Sequence, residues 1–399
     1  MDKYPLLRKG LSVGIILLFV GTCIIPAIAE DIEKPLPTSR GNWLYVGGSG
    51  PGNYTRIQDA INNSHDGDTV FVFDDSSPYY ENISIPKSIN LIGEDRNTTI
   101  INGKKIEDTI WIRASFVTVS GFTIVNSSTK NTNAGIYVEE EKWWEPGNPP
   151  WLTNIHISDC IIKNNEIGIR LYSTYAINVS SCIIQNNTGT CVEVISSSHI
   201  NINDCEIMHN GDIYIGGILI DIDYEIGNSS DNVTVSNCSI SNNFWCGIWI
   251  TDCSRDINIF HNKIFENTNN GIFVSESNAK IYDNHIYNNG DGEYFDGGIF
   301  LQDCINNITV TGNNIESNNE YGLLLLRSST NSITKNNFIN NTINTYFKQF
   351  SLFNHWSENY WTDYLGLGPK IIKGTLGVKM FLWVNFDWHP AQEPYDIHF

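Results

Sequence analysis

Three acids and one base recur at near-constant spacing in the second half of the chain. Asp252, Glu276, Asp303 and Arg327 are separated by 24, 27 and 24 residues, and each lies five residues after a glycine: Gly247, Gly271, Gly298 and Gly322. The same count in earlier segments reaches Glu140, Ser173, Ser196 and Ile222. If each interval is one turn of a stacked structure, the acids lie about 5 Å apart, the distance between neighbouring strands. Carboxylates that close raise one another's pKa or recruit a cation. About 5 Å also separates the two carboxyls of retaining glycosidases, and alternate turns approach the inverting separation. Hard oxygen ligands in this number suit Ca²⁺. The plain alternative is that turn acids point into solvent, with Arg327 balancing the last of them.

The glycines open short alternating segments such as "GIWITDC" at 247–253. Strict alternation puts Ile248 and Ile250 on one face and Trp249 on the other. The outward positions form a column: Tyr137, Arg170, Glu193, Leu219, Trp249, Phe273, Phe300 and Leu324. Trp249, Phe273 and Phe300 make an apolar stripe that an exported chain would not normally leave bare. Either the rings stack on sugar faces, or the apolar segment 371–388, "IIKGTLGVKMFLWVNFDW", lies across them. The second arrangement is expected. Loops at 139–151 and 221–231 follow these segments, and another at 290–297 precedes one. Trp143, Trp144, Trp151 and Tyr224 in those loops are candidates for a sugar platform or for loop packing.

A repeat must position these residues. Cys160, Cys182, Cys205, Cys238, Asn262, Asn284, Asn313 and Asn336 fall in one column, with steps of 22, 23, 33, 24, 22, 29 and 23 residues. Phe122 fits the column earlier. Each repeat holds three short apolar alternations between polar turns, with no helical period. This pattern predicts an all-β fold, a right-handed parallel β-helix whose strands each pair with their counterpart in the next coil. Asn in the column is expected to take the left-handed turn conformation and to hydrogen-bond from coil to coil. Residues 54–62 predict a short N-terminal capping helix, with Ile57, Ala60 and Ile61 over the open end of the stack. The expected organisation is a signal peptide at 1–29, cap and first strands at 41–84, repeats at 85–345 and a covering segment at 346–399.

The "NNxxGIxL" rhythm over 85–345 and the opening "YVGGSGPGNYTRIQDAINNSHDGDTVFV" resemble NosD-like and carbohydrate-binding/sugar-hydrolase β-helix proteins. "NHWSENYWTDY" and "EPYDI" resemble the endings of archaeal members. The resemblance implies the fold; in β-helix enzymes of the pectate lyase type substrate lies along the outer face of the first strand, which the Gly-Ile strands match here. NosD-like proteins are also associated with copper-site maturation. Copper(I) would want exposed Met and Cys, yet the chain has three Met and no His-x-His pair. Motifs of polygalacturonases, alginate epimerases and pectate lyases are missing, and fold alone supplies no activity.

The composition narrows the partners. A net charge of −20 with 17% charged residues disfavours nucleic acid and anionic membranes. Lys3, Arg8 and Lys9, the apolar run that follows and Ala27-Ile28-Ala29 resemble a cleaved export signal, leaving no membrane span in the mature chain. The stacked cysteines are expected as free thiols, because parallel side chains on adjacent coils disfavour the disulfide dihedral. Cys253 and Cys304 are assigned to one further column, with Ser277 between them. The functional expectation is a secreted or cell-surface protein binding a glycan or polysaccharide. Ca²⁺ at Asp252, Glu276 and Asp303 is the one cofactor considered. The alternatives are a polysaccharide lyase or glycoside hydrolase using those acids, and a structural adhesion protein.

Overall fold

The computed structural model describes residues 41–130, 132–139, 151–211, 216–292, 295–305, 308–377 and 381–398. The expected signal peptide and Trp143 and Trp144 lie outside them. Strands of two to seven residues wind into a right-handed parallel β-solenoid of about 13 turns. Sheet 1 holds the Gly-Ile strands, among them Ile248–Ile250, Asn270–Ser275 and Gly297–Gln302. Sheet 2 includes Ile257–Phe260 and sheet 3 includes Lys263–Phe265; the three sheets contain 13, 13 and 11 strands.

Alternation decides which side chains fill the coil. Ile248, Ile250, Ile272 and Val274 point inward and are wholly buried, while Trp249 and Phe273 face out. The repeated glycine answers a packing constraint. A Cβ on Gly271 would meet the carbonyl oxygen of Gly298 at 2.8 Å and Asn289 Nδ2 at 2.9 Å.

Buried polar ladders hold the turns. The backbone N–H of Asn262 donates to Asn284 Oδ1 at 3.0 Å, and Asn284, Asn313 and Asn336 each repeat the bond to the next coil. A second ladder runs from Asn165 through Asn187, Asn210 and Asn243 to Asn341. The left-handed residue is not the ladder residue, as expected from sequence, but the one before it. Asp159, Ser181, Asp204, Asn237, His261 and Asp283 have φ of 50° to 54°. The ladder side chain must point inward, so its neighbour makes the bend.

Cysteine takes the place of asparagine in the early coils. Sγ of Cys160, Cys182, Cys205 and Cys238 is shared between a carbonyl two residues back, at 3.2–3.3 Å, and one on the preceding coil, at 3.7–4.0 Å. Asn284 Nδ2 makes the same two contacts, to Tyr282 and Ile259. All eight cysteines of the described chain are free thiols, and seven are buried. Cys253 is exposed and does not share a column with Cys304. Asp252 and Cys253 are both left-handed, so the turn gains a residue and Ser254 takes the buried position, its N–H donating to Ser277 Oγ.

Both ends are closed. Helix Ile57–Asn63 buries Ile57, Ala60 and Ile61, as expected. Glu81, from the next coil, accepts the Ile57 and Gln58 N–H groups, and Lys87 donates to the carbonyls of Ile61, Asn62 and Ser64. Glu81 thus replaces the side-chain cap missing at Arg56, and Lys87 adds to the local cap in which Ser64 donates to the Ile61 carbonyl. At the other end, Lys370–Leu376 and Phe381–Asp387 form an antiparallel hairpin that extends sheet 1. The segment 371–388 therefore does not lie across the stripe. Its described residues continue the sheet beyond Ile343–Lys348 through one residue pair and touch His355–Ser357, while their ladder bonds are made within the hairpin.

Candidate functional site

The outward column of sheet 1 has the register expected from sequence. Trp111, Tyr137, Arg170, Glu193, Leu219, Trp249, Phe273, Phe300, Leu324 and Tyr346 are direct neighbours from coil to coil. Strand pairing thus builds one continuous surface with three districts.

The first is charged and tyrosine-rich. Arg170 Nε lies 3.3 Å from Glu193 Oε2, and its Nη1 donates to Thr132 Oγ1 at 2.6 Å. The guanidinium sits 5.7 and 5.6 Å from the rings of Tyr137 and Tyr172. Tyr172 donates to Asp223 in the loop after Ile218–Asp221. Burial raises the carboxyls of Glu193 and Glu166 in spite of Arg170, and pushes Asp108 up to about 6.

Beside this district, Asp221 meets Asp252 on the next coil. Burial pushes the Asp221 carboxyl up to about 6, and the Asp252 charge and a shared hydrogen bond add to the shift. These outweigh the Ile222 N–H that Asp221 accepts at 2.7 Å. Tyr224, on the exposed loop, hydrogen-bonds Asp252, which pushes its phenol up to about 12. A carboxyl that keeps its proton near pH 6 beside an acceptor carboxylate can donate to a sugar hydroxyl or glycosidic oxygen.

The second district is aromatic. Trp249 and Phe273 are half-buried with centroids 5.3 Å apart, and Phe273 stacks on Phe300 at 4.9 Å. Phe300 is only 5% exposed, because Phe295 from the preceding loop covers it at 5.8 Å. The third district is a closed cluster of Phe300, Tyr321, Leu324 and Leu326, with Lys348 held over the Phe295 ring at 4.2 Å. Of the three stripe rings, Trp249 and Phe273 keep exposed edges while their faces stack along the column, and Phe300 is enclosed.

The turn column also forms in the expected register: Asp252, Glu276, Asp303 and Arg327 follow paired strands with φ of 54°, 49°, 54° and 48°. The carboxylates do not converge on a metal. Arg327 grips Asp303 through two bonds of 2.6 and 2.7 Å, and Asp252 turns to Asp221. Among the described residues no group of three or more His, Cys, Asp or Glu side chains could hold a metal ion. Sequence reasoning missed Asp221 as a site residue. It ends a Gly-Ile strand one register position ahead of the acid column, which is the signal that could have found it.

This geometry meets the known proteins it resembles. A family profile described as "Right handed beta helix region" matches residues 46–277, and one described as "Periplasmic copper-binding protein (NosD)" matches residues 224–366. The chain belongs to the right-handed β-helix family. It is 28% identical over 383 residues to a cell surface glycoprotein of Methanothermus fervidus; the match takes in 90% of this chain and 57% of that protein.

Solved structures share the fold at low identity. The DFA-IIIase of Arthrobacter chlorophenolicus A6 in complex with GF2 superposes with a TM-score of 0.59 at 12% identity, covering 80% of this chain and 94% of that one. The A-module of the mannuronan C-5 epimerase AlgE6 of Azotobacter vinelandii gives 0.55 at 16%, covering 75% and 90%. The Dettilon tailspike protein gp208 gives 0.53 at 14%, covering 78% and 68%.

Copper does not fit the residues present. The column thiols are buried and bonded to main-chain carbonyls, where a soft metal would need them converging and accessible.

Proposed function

We propose that the chain is a cell-surface or secreted protein that binds an extracellular glycan along the outer face of sheet 1. The observation that carries this reading is the open stretch of the column, where the stacked rings of Trp249 and Phe273 present their half-exposed edges beside the Arg170–Glu193 pair and the Asp221–Asp252 pair. An apolar ridge of stacked ring edges flanked by a few fixed polar groups matches the two kinds of surface on a sugar ring. Likeness to a cell surface glycoprotein supports the location, and among the described residues no helix is long and apolar enough to cross a membrane.

Affinity electrophoresis against a panel of neutral and uronate polysaccharides tests the reading. Retardation by at least one polymer is expected, with about tenfold weaker binding in a Trp249→Ala/Phe273→Ala double variant. Binding that is indifferent to both rings would remove the platform and leave a structural adhesion role.

A second reading, glycoside hydrolysis or polysaccharide lysis, is favoured by the placing of the part-buried Asp221 carboxyl beside Asp252, where burial and the neighbouring charge raise it to about 6. Reducing-end release from any polymer bound in the first assay, lost in Asp221→Asn, would support it. No release from a bound polymer would leave binding alone.

A further inference from the structure

The last coil opens a groove apart from the Trp249–Phe273 stripe. Strand Ile343–Lys348 pairs with Tyr321–Leu326 along its length but joins Lys370–Leu376 through one residue pair, Phe347 with Gly374. Ahead of that pair the two strands part, and a cavity of about 910 Å³ fills the wedge. That volume lies within the usual range of small-molecule sites, roughly 300–1,000 Å³.

The lining mixes fixed polar groups with apolar side chains. Lys370 Nζ lies 2.5 Å from Asp363 Oδ2, and Asn344 Nδ2 donates to Asp363 Oδ1 at 2.8 Å. The Lys370 ammonium sits 5.7 Å from the Trp361 ring. Lys370 and Asp363 neutralise each other, which leaves exposed Lys373 as the net charge of the lining, and hydroxyls and amides (Thr342, Thr362, Asn344) alternate with Leu365, Leu367 and Ile371 beside the ring of Tyr364. Fixed hydrogen-bonding groups beside an aromatic ring and apolar side chains recognise polyols, and the single exposed lysine, Lys373, offers little to a polyanion. The shape disfavours a peptide. An added strand would find only the four residues 343–346 before the wedge shuts at Phe347 and Gly374, room for few ladder hydrogen bonds.

We propose that this wedge is a second saccharide site, which takes the end of a neutral glycan chain. It rests on its own lining and does not depend on the Trp249–Phe273 platform.

The test is fluorine NMR of the chain labelled with 5-fluorotryptophan. Trp361, beneath Lys370, reports the groove and Trp249 reports the stripe. The probes are maltotriose, cellotriose, chitotriose and mannotriose, with trigalacturonate and a Thr-Val hexapeptide as contrasts. At least one neutral trisaccharide should shift Trp361, with or without a shift at Trp249. Thr342→Phe, which fills the groove from an exposed wall, and Tyr364→Ala should each weaken that titration at least about tenfold, a difference of about 1.4 kcal/mol. Melting curves identify a variant that fails to fold, and the other then decides.

A shift at Trp249 alone would overturn the groove while leaving the stripe reading intact. The groove proposal also fails if no trisaccharide shifts Trp361, if the shift survives the folded variants, or if only trigalacturonate or the peptide produces it.

Discussion

Asp387 closes the asparagine ladder of Asn359. Its Oδ2 accepts the Asn359 backbone N–H at 3.0 Å, Asn359 Nδ2 at 3.1 Å and the Trp361 indole N–H at 3.2 Å, and the carboxylate is wholly buried. Every earlier rung finds its acceptor on the next coil, and here the hairpin supplies it. Asp387→Ala removes the acceptor of the buried Asn359 backbone N–H and the Trp361 indole N–H, and one of two acceptors of Asn359 Nδ2. It is expected to destabilise the fold by about 3 kcal/mol, and Asp387→Asn, which keeps an oxygen, by less. Urea midpoints on both variants measure this.

Asp108 and Asp221 both sit at about 6, raised from 3.8. The folded chain therefore binds more protons than the unfolded one between pH 4 and 6, and their contribution to stability falls as pH rises through that window. The double variant Asp108→Asn/Asp221→Asn is expected to flatten this decline and to melt higher than the parent above pH 6. Thermal scans from pH 4 to pH 7 decide it. An unchanged slope would contradict the burial assigned to these carboxyls.

The stripe rings separate by role. Phe300→Ala removes a ring enclosed by Phe295 and Phe273 and should destabilise by about 3–5 kcal/mol. Trp249→Ala, at a half-exposed position, should lose less stability than Phe300→Ala. Denaturation of the two variants side by side gives the order.

Gly271→Ala places a methyl against the Gly298 carbonyl oxygen and the Asn289 amide. A loss of roughly 1–3 kcal/mol is expected from overpacking, despite the better intrinsic propensity of alanine. Gly227→Ala, where a Cβ meets nothing within 4 Å but φ is +71°, isolates the backbone effect in the same melting experiment.

Thiol accessibility checks the cysteine placement. In the native chain from residue 41 onward, a thiol-specific reagent should modify Cys253 rapidly and the seven buried cysteines only on unfolding. Rapid modification at the Cys160–Cys238 column would contradict the ladder.

Sheet 1 was legible residue by residue because a period-two alternation on a repeating coil fixes register once one column is aligned. Tyr137 through Leu324 fall where the spacing put them. The column of Asp252, Glu276 and Asp303 was legible for the same reason. Its chemistry was not, because partner choice depends on side-chain reach: Arg327 takes Asp303, and Asp221 takes Asp252. The displacement of Cys253 by one position follows from two consecutive left-handed residues, which no composition signal marks. The route of segment 371–388 was misread because an apolar run says that a segment must be buried or paired, not where. Phe381, Leu382 and Trp383 remain exposed even after pairing.

The direction of the Asn262–Asn359 ladder gives the molecule a grammar of length. Each rung is completed only by its successor, so an interior coil is interchangeable while the final one is not. A coil could be inserted or removed between Asn284 and Asn313 and the neighbouring rungs would close over the change. Only an ending that carries a buried acceptor such as Asp387 can stop the count. Descent with variable coil number is then easy for such a chain, provided the terminator travels with it.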